Sequence, residues 1–166
     1  MSNFGQASFV RMAVAVLAVA AGCGLSEPSV AADSAAVAAL LGNWGGSGRI
    51  HYTDGSTETI RCTAYYTGGG AELHMAIQCQ GQGNPINMRS RLKIDGARAT
   101  GSWEERTFNA SGEATGKAGG DSMSLNLAGG GFSGSMSVSF SKSQHSVNIA
   151  TQGIGMSKAS ISFNRR

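Results

Sequence analysis

The chain is poor in charge, aromatic rings, proline and cysteine, and each shortage excludes something. Charged residues make up 14% and aromatic residues 7% of its 166 residues, with two prolines and three cysteines. The basic residues stand singly except for the final Arg165-Arg166, and the net charge is only +3. Binding to nucleic acid calls for basic side chains clustered on one face, so no nucleic-acid partner is expected. Long apolar runs are scarce as well. Only "MAVAVLAVAAGCGL", residues 12–25, is continuously apolar, and it is too short and too alanine-rich to span a bilayer comfortably. No transmembrane segment is expected after it.

The order of segments around that run gives it a purpose. A polar stretch ending in Arg11 precedes it, and "SEPSVAADS" follows, where Val30-Ala31-Ala32 fits the small-residue rule of a secretory cleavage site. Residues 1–32 read as a signal peptide cleaved after Ala32, which sends the protein to the periplasm or outside the cell. A second route competes: Ala20-Ala21-Gly22-Cys23 resembles a lipobox, in which Cys23 would be lipidated and anchor the chain. Ala20 stands where that motif usually has Leu. Cleavage after Ala32 removes Cys23 and leaves Cys62 and Cys79, and an even pair in an exported protein reads as one disulfide.

What remains suits a single domain. "DSAAVAALLG", residues 33–42, predicts a short helix capped by Asp33 or Ser34 and ended by Gly42, with a linker as the other reading. From residue 43 the apolar period is two. Short alternating runs punctuated by Gly, Asn and Asp predict an all-β antiparallel domain of about 8–10 strands. Sequential hairpins favour an up-and-down barrel. A two-sheet sandwich has the same period and stays open.

Alternation also predicts register. Trp44, Gly46, Gly48, Ile50 and Tyr52 share a face, as do Ile60, Cys62, Ala64 and Tyr66. These faces join only through a three-residue loop that pairs 52 with 56 and puts Gly55 in the left-handed conformation. Leu73, Met75, Ile77 and Cys79 alternate next. Centring that turn on 70–71 sets Cys62 opposite Cys79, close enough to bridge. For Ile86–Ile94 and Ala97–Trp103, a two-residue Asp95-Gly96 turn of type I′ pairs 94 with 97 and Met88 with Trp103.

Chemistry-bearing motifs are absent from the pattern. "GGGFSG", 129–134, spells G-x-G-x-x-G but precedes a strand rather than a helix, so no helix N-terminus receives a phosphate. Ser133 lacks nucleophile-elbow spacing. His51, His74 and His145 are far apart, each beside polar neighbours or at a strand start, and are expected to be exposed; with Met75 they could hold copper or haem iron only if the fold gathered them. No metal and no cofactor are therefore expected. Glu104 and Glu105 point to opposite faces of a strand, and Glu105 is expected at the rim. No catalytic constellation emerges, so an enzyme is not expected. The outward faces are Ser, Thr, Arg, Gln and Asn, which excludes the lipid-facing band of an outer-membrane barrel.

Gly42-Asn43-Trp44 after a short helix resembles the start of the lipocalin/calycin barrels. The resemblance implies that Trp44 lies at the closed end, with Arg165 packed over it from the last strand. The other lipocalin motifs are not recognisable here. Residues 41–166 also resemble a group of small, uncharacterised secreted proteins of rhizobia-type alphaproteobacteria, through Leu41-Gly42-Asn43-Trp44-Gly45-Gly46-Ser47-Gly48, Ile60-Arg61-Cys62, a second cysteine strand and Gly101-Ser102-Trp103. That resemblance implies no activity. Because Gly-x-Trp occurs twice, Trp44 and Trp103 are expected first to pack over glycine-relieved strands.

Two readings of function follow. One is an exported barrel binding a small apolar or amphipathic ligand through Trp44, Tyr66, Met75, Met88 and Trp103, since adaptable methionines suit such sites. The other is a structural or interaction protein of the cell envelope, its interior filled by its own side chains.

Overall fold

The computed structural model describes residues 36–166. The signal peptide, the cleavage after Ala32, the lipidation of Cys23 and the caps Asp33 and Ser34 lie outside the described residues. Within them a short helix covers 36–40, and ten strands follow. These are β1 Gly42–Tyr52, β2 Thr57–Gly69, β3 Glu72–Gln80, β4 Ile86–Asp95, β5 Arg98–Glu105, β6 Ala110–Gly119, β7 Ser122–Gly129, β8 Phe132–Phe140, β9 Gln144–Gln152 and β10 Met156–Arg165. Every strand pairs antiparallel with its sequence neighbour, and β10 closes on β1. The result is an all-β, up-and-down closed barrel, not a sandwich.

Alternation builds the core. Along each strand the residues of one phase are buried and the others exposed, as in β3, where Leu73, Met75, Ile77 and Cys79 face inward. The glycine-rich half closes rather than flattens because its inward residues are of complementary size. β6 offers Ala110, Gly112, Ala114, Gly116 and Ala118, while β7 and β8 offer Met123, Leu125, Leu127, Met136 and Val138.

The first two registers are as alternation predicts. Gly42 pairs with Tyr66 and His51 with Thr57, the Tyr52 amide donates to the Ser56 carbonyl, and Gly55 has φ 86°. Cys62 lies opposite Cys79 and is joined to it, with Cα atoms 4.1 Å apart. The β4–β5 hairpin corrects the expectation. Asp95 pairs with Arg98 and Ser90, not Met88, faces Trp103. The turn is Gly96-Ala97 with positive φ on Gly96 alone, the pattern of a type II′ turn. A slide of two residues keeps every side chain on its face, so alternation cannot distinguish the registers.

The meander gives the barrel two unlike ends. The β2–β3, β4–β5, β6–β7 and β8–β9 turns lie at the end where the helix leads into β1, and Ala36, Val37 and Leu40 of that helix are buried, as are Trp44, Leu73, Ile94 and Phe163 on the strands. At the other end the inward residues Tyr52, Ile86, Met88, Phe132 and Met156 are only partly buried. We call the first the closed end and the second the mouth. Among the described residues no helix is long and apolar enough to cross a membrane.

Candidate functional site

The closed end is built around Trp44. Its indole nitrogen donates to the Leu40 carbonyl at 2.8 Å, which ties the barrel to the helix. The Arg165 guanidinium lies over the indole, 4.2 Å from the ring centre. Its three nitrogens donate to the carbonyls of Leu41, Ala39 and Lys142 at 2.7–2.8 Å. Gly42 admits this side chain: a Cβ there would lie 2.9 Å from Arg165 Nη1. Planar geometry with five donors is what lets one arginine hold three carbonyls.

His145 is buried in this cluster, which corrects the expectation of an exposed histidine. Its ring stacks on Phe163 at 4.5 Å and meets the edge of Trp44 at 4.5 Å. Its Nε2 lies 3.0 Å from the Tyr66 hydroxyl, and its Nδ1 has no hydrogen-bond partner among the described residues. Burial, and then the nearby Arg165 charge, lower its pKa to about 4. Burial also pushes the Tyr66 phenol well above its ordinary value. Both rings are therefore neutral at neutral pH. His145 is in phase with Val147, Ile149 and Thr151, all buried; that phase, not its polar neighbours Gln144 and Ser146, was the informative signal. His51 and His74 sit on outward phases of β1 and β3, so the three histidines and Met75 do not gather. His74 lies 3.7 Å from Glu72 and pairs across the strands with Thr67 and Arg91.

The five candidate ligand residues divide differently from a single pocket. Direct cross-strand pairing sets Gly42, Tyr66, Met75, Ser90, Trp103, Gly112, Gly129 and Phe132 in one row. Barrel strands tilt, so a row perpendicular to them climbs the wall. This one starts at the first residue of β1, at the closed end, and finishes at the first residue of β8, at the mouth. Tyr66, Met75 and Trp103 thus lie along one inward spiral. Trp44 belongs to the closed-end cluster, two residues from the start of the row. Met88 lies two residues from Ser90 toward the mouth, opposite Ile77 and Glu105.

Trp103 bridges the spiral and the mouth. Its ring centre lies 4.9 Å from that of Phe132, and its nitrogen donates to the Glu113 carbonyl at 3.1 Å. A Cβ on Gly112 of the neighbouring strand would meet the Ala128 carbonyl and also fall 2.8 Å from Trp103 Cζ2, so that glycine leaves room for the indole. Gly101, two positions before the tryptophan, instead faces the β4 backbone. Between Met75 and Trp103 stands Ser90, a residue that the sequence reading did not single out. It is 8% exposed, and its hydroxyl has no hydrogen-bond partner among the described residues. The available signal was a hydroxyl in phase with Met88, Leu92 and Ile94.

Two carboxylates mark the mouth. Glu105 is inward and buried at the end of β5, and it accepts from the amides of Asn87 at 2.6 Å and Phe108 at 2.7 Å. Glu58 accepts from the Tyr52 hydroxyl at 2.6 Å and the Gly83 amide at 2.7 Å. The Tyr52 hydrogen bond, followed by the Gly83 amide, holds the Glu58 carboxyl below its ordinary range. The same bond raises the Tyr52 phenol. These carboxylates pin the loops of the mouth. Among the described residues no group of three His, Cys, Asp or Glu side chains could hold a metal ion.

No family model and no curated protein matches the chain. Solved structures do share its fold. The crystal structure of Rv2717c from M. tuberculosis superposes with a TM-score of 0.67 at 15% identity, over 80% of this chain and 96% of that one. The S-type phycobiliprotein lyase CPES from Guillardia theta superposes with a TM-score of 0.55 at 14% identity, over 78% and 90%. Both are calycin-like barrels, and at these identities the likeness is one of fold.

Proposed function

We propose that this chain is an exported, non-catalytic barrel that binds a small apolar or amphipathic molecule through its mouth. The observation that carries the reading is the contrast between the two ends. At one, a helix, an indole and an arginine close the lumen. At the other, the apolar side chains of Ile86, Met88, Phe132 and Met156 are only partly buried. An apolar rim leading to inward aromatics and methionines is the usual makeup of a small-molecule site. Met88 and Met156 can repack around a guest. A binding role rather than a catalytic one is supported by the carboxylates, since Glu58 and Glu105 each have both oxygens engaged by donors of the chain itself. Export is supported by the bridged cysteine pair and the segment order of residues 1–32. Native mass spectrometry of protein purified from its own host, with 1-anilinonaphthalene-8-sulfonate titration, tests the proposal. A retained small molecule and tryptophan quenching by the probe are expected; neither appearing defeats it.

One observation favours the envelope interaction protein as a second reading. Ser122, Ser139, Ser146, Ser162 and Ser47 lie directly opposite one another on the outer wall. This low, uncharged surface lets a partner approach closely. Crosslinking in intact cells that captures one partner through this face, with no small molecule retained, would favour it.

A further inference from the structure

We propose that Ser90 is the polar anchor of the site, and that the ligand is an amphiphile whose buried end is a neutral hydroxyl or carbonyl rather than a carboxylate. This rests on the ligand-binding reading above and specifies its chemistry. A buried hydroxyl without a partner is destabilising, and such groups in folded proteins call for an explanation. Ser90 has apolar surroundings to explain away: Met75 opposite on β3, Trp103 opposite on β5, and Met88 and Leu92 along its own strand. Ser90 is packed between buried Met75 and Trp103, so a guest from the mouth reaches its hydroxyl only where Met75 and Met88 repack. A hydroxyl both donates and accepts, so it serves an alcohol or a carbonyl equally.

The charge of the lumen decides between head groups. Among the described strand residues, Arg165 is the only Arg or Lys in an inward phase, and its donors are committed to three backbone carbonyls at the closed end. His145 is neutral and beside that same end. The nearest inward charge to Ser90 is Glu105, opposite Met88. A carboxylate carried to Ser90 would thus be desolvated without a counter-charge and near a like charge, a costly burial. A neutral head group gains a hydrogen bond at no such cost.

Isothermal titration calorimetry of the full chain at pH 8 with 1-decanol and with decanoate tests this. Decanol is expected to bind at least about 10-fold more tightly than decanoate. Ser90→Ala is expected to weaken decanol by about 3- to 10-fold, the range of one neutral hydrogen bond, and to leave decanoate unchanged. The same variant without ligand is expected to melt no lower than the parent, which separates lost binding from lost fold. Ser90→Thr, which keeps the hydroxyl, is expected to restore part of the decanol affinity. Decanoate binding as well as decanol, or decanol binding undiminished in Ser90→Ala, overturns the anchor while leaving the ligand-binding reading intact. Failure of both amphiphiles and of 1-anilinonaphthalene-8-sulfonate to bind the parent overturns the ligand-binding reading, and the anchor with it.

Discussion

Tyr66 and His145 meet across the lumen, hydroxyl to Nε2 at 3.0 Å, although 79 residues separate them in sequence. Their strands, β2 and β9, are not neighbours in the wall. The contact is therefore a strut through the interior of the closed end.

Burial of His145, and then the charge of Arg165, make stability depend on acid. His145 takes up a proton near its ordinary value of 6.5 when unfolded but only near 4 when folded. A folded value below the unfolded one means that its contribution is fully present above about 6.5 and is lost as pH falls toward 4. The loss from this one group is about 3 kcal/mol. Urea unfolding at pH 7.5 and pH 4 is expected to show it, and His145→Gln, which cannot titrate, is expected to flatten that part of the profile. An unaltered pH profile in the variant would show that His145 is not the responsible group.

Trp44→Ala is expected to destabilise the domain by about 3–5 kcal/mol, as for other large core aromatics. Trp44→Phe keeps a ring but loses the bond to the Leu40 carbonyl, and about 1 kcal/mol is expected. Chemical denaturation of both measures the difference. An unchanged midpoint in Trp44→Ala contradicts a core role.

Arg165→Lys retains the charge but not the fork. One ammonium cannot reach the Ala39, Leu41 and Lys142 carbonyls in the same geometry. The backbone amides of residues 37–41 are expected to exchange hydrogen faster, with a loss of about 1–2 kcal/mol in stability. Protection equal to the parent's would mean that the helix is held by its apolar face alone.

Removing the bridge by Cys62→Ala with Cys79→Ala is expected to cost about 3 kcal/mol, the chain-entropy value for a short loop. A melting scan with and without reductant gives the same comparison on the parent. Two thiols titrating in unreduced protein would show that the cysteines are not bridged.

Much of the wall was legible from period two, because inward alternation and turn glycines fix register wherever a one-residue slip would expose a core face. Cys62 opposite Cys79 follows from that logic alone. The β4–β5 register did not, since a two-residue slide exposes nothing; the observed one runs from Asp95 opposite Arg98 to the Arg106 amide bonding to Asn87 O. The site was legible in part. Tyr66, Met75 and Trp103 were visible as inward residues, but the row that joins them depends on three successive registers, β2–β3, β3–β4 and β4–β5. His145 and Ser90 were missed for a common reason: a polar residue inside an apolar phase reads as an exception until its partners, or their lack, are seen.

The pairing of β1 with β10 sets Trp44 opposite Arg165, and it alone joins strands that are distant in sequence. Nine neighbouring hairpins can form as the chain emerges, but the tenth seam waits for the last strand. Until it zips, two open sheet edges are available to any other chain, and the high sequence separation of that seam slows its closure. Folding of this barrel is thus a race between one final intramolecular pairing and intermolecular strand addition, which protein concentration should tilt.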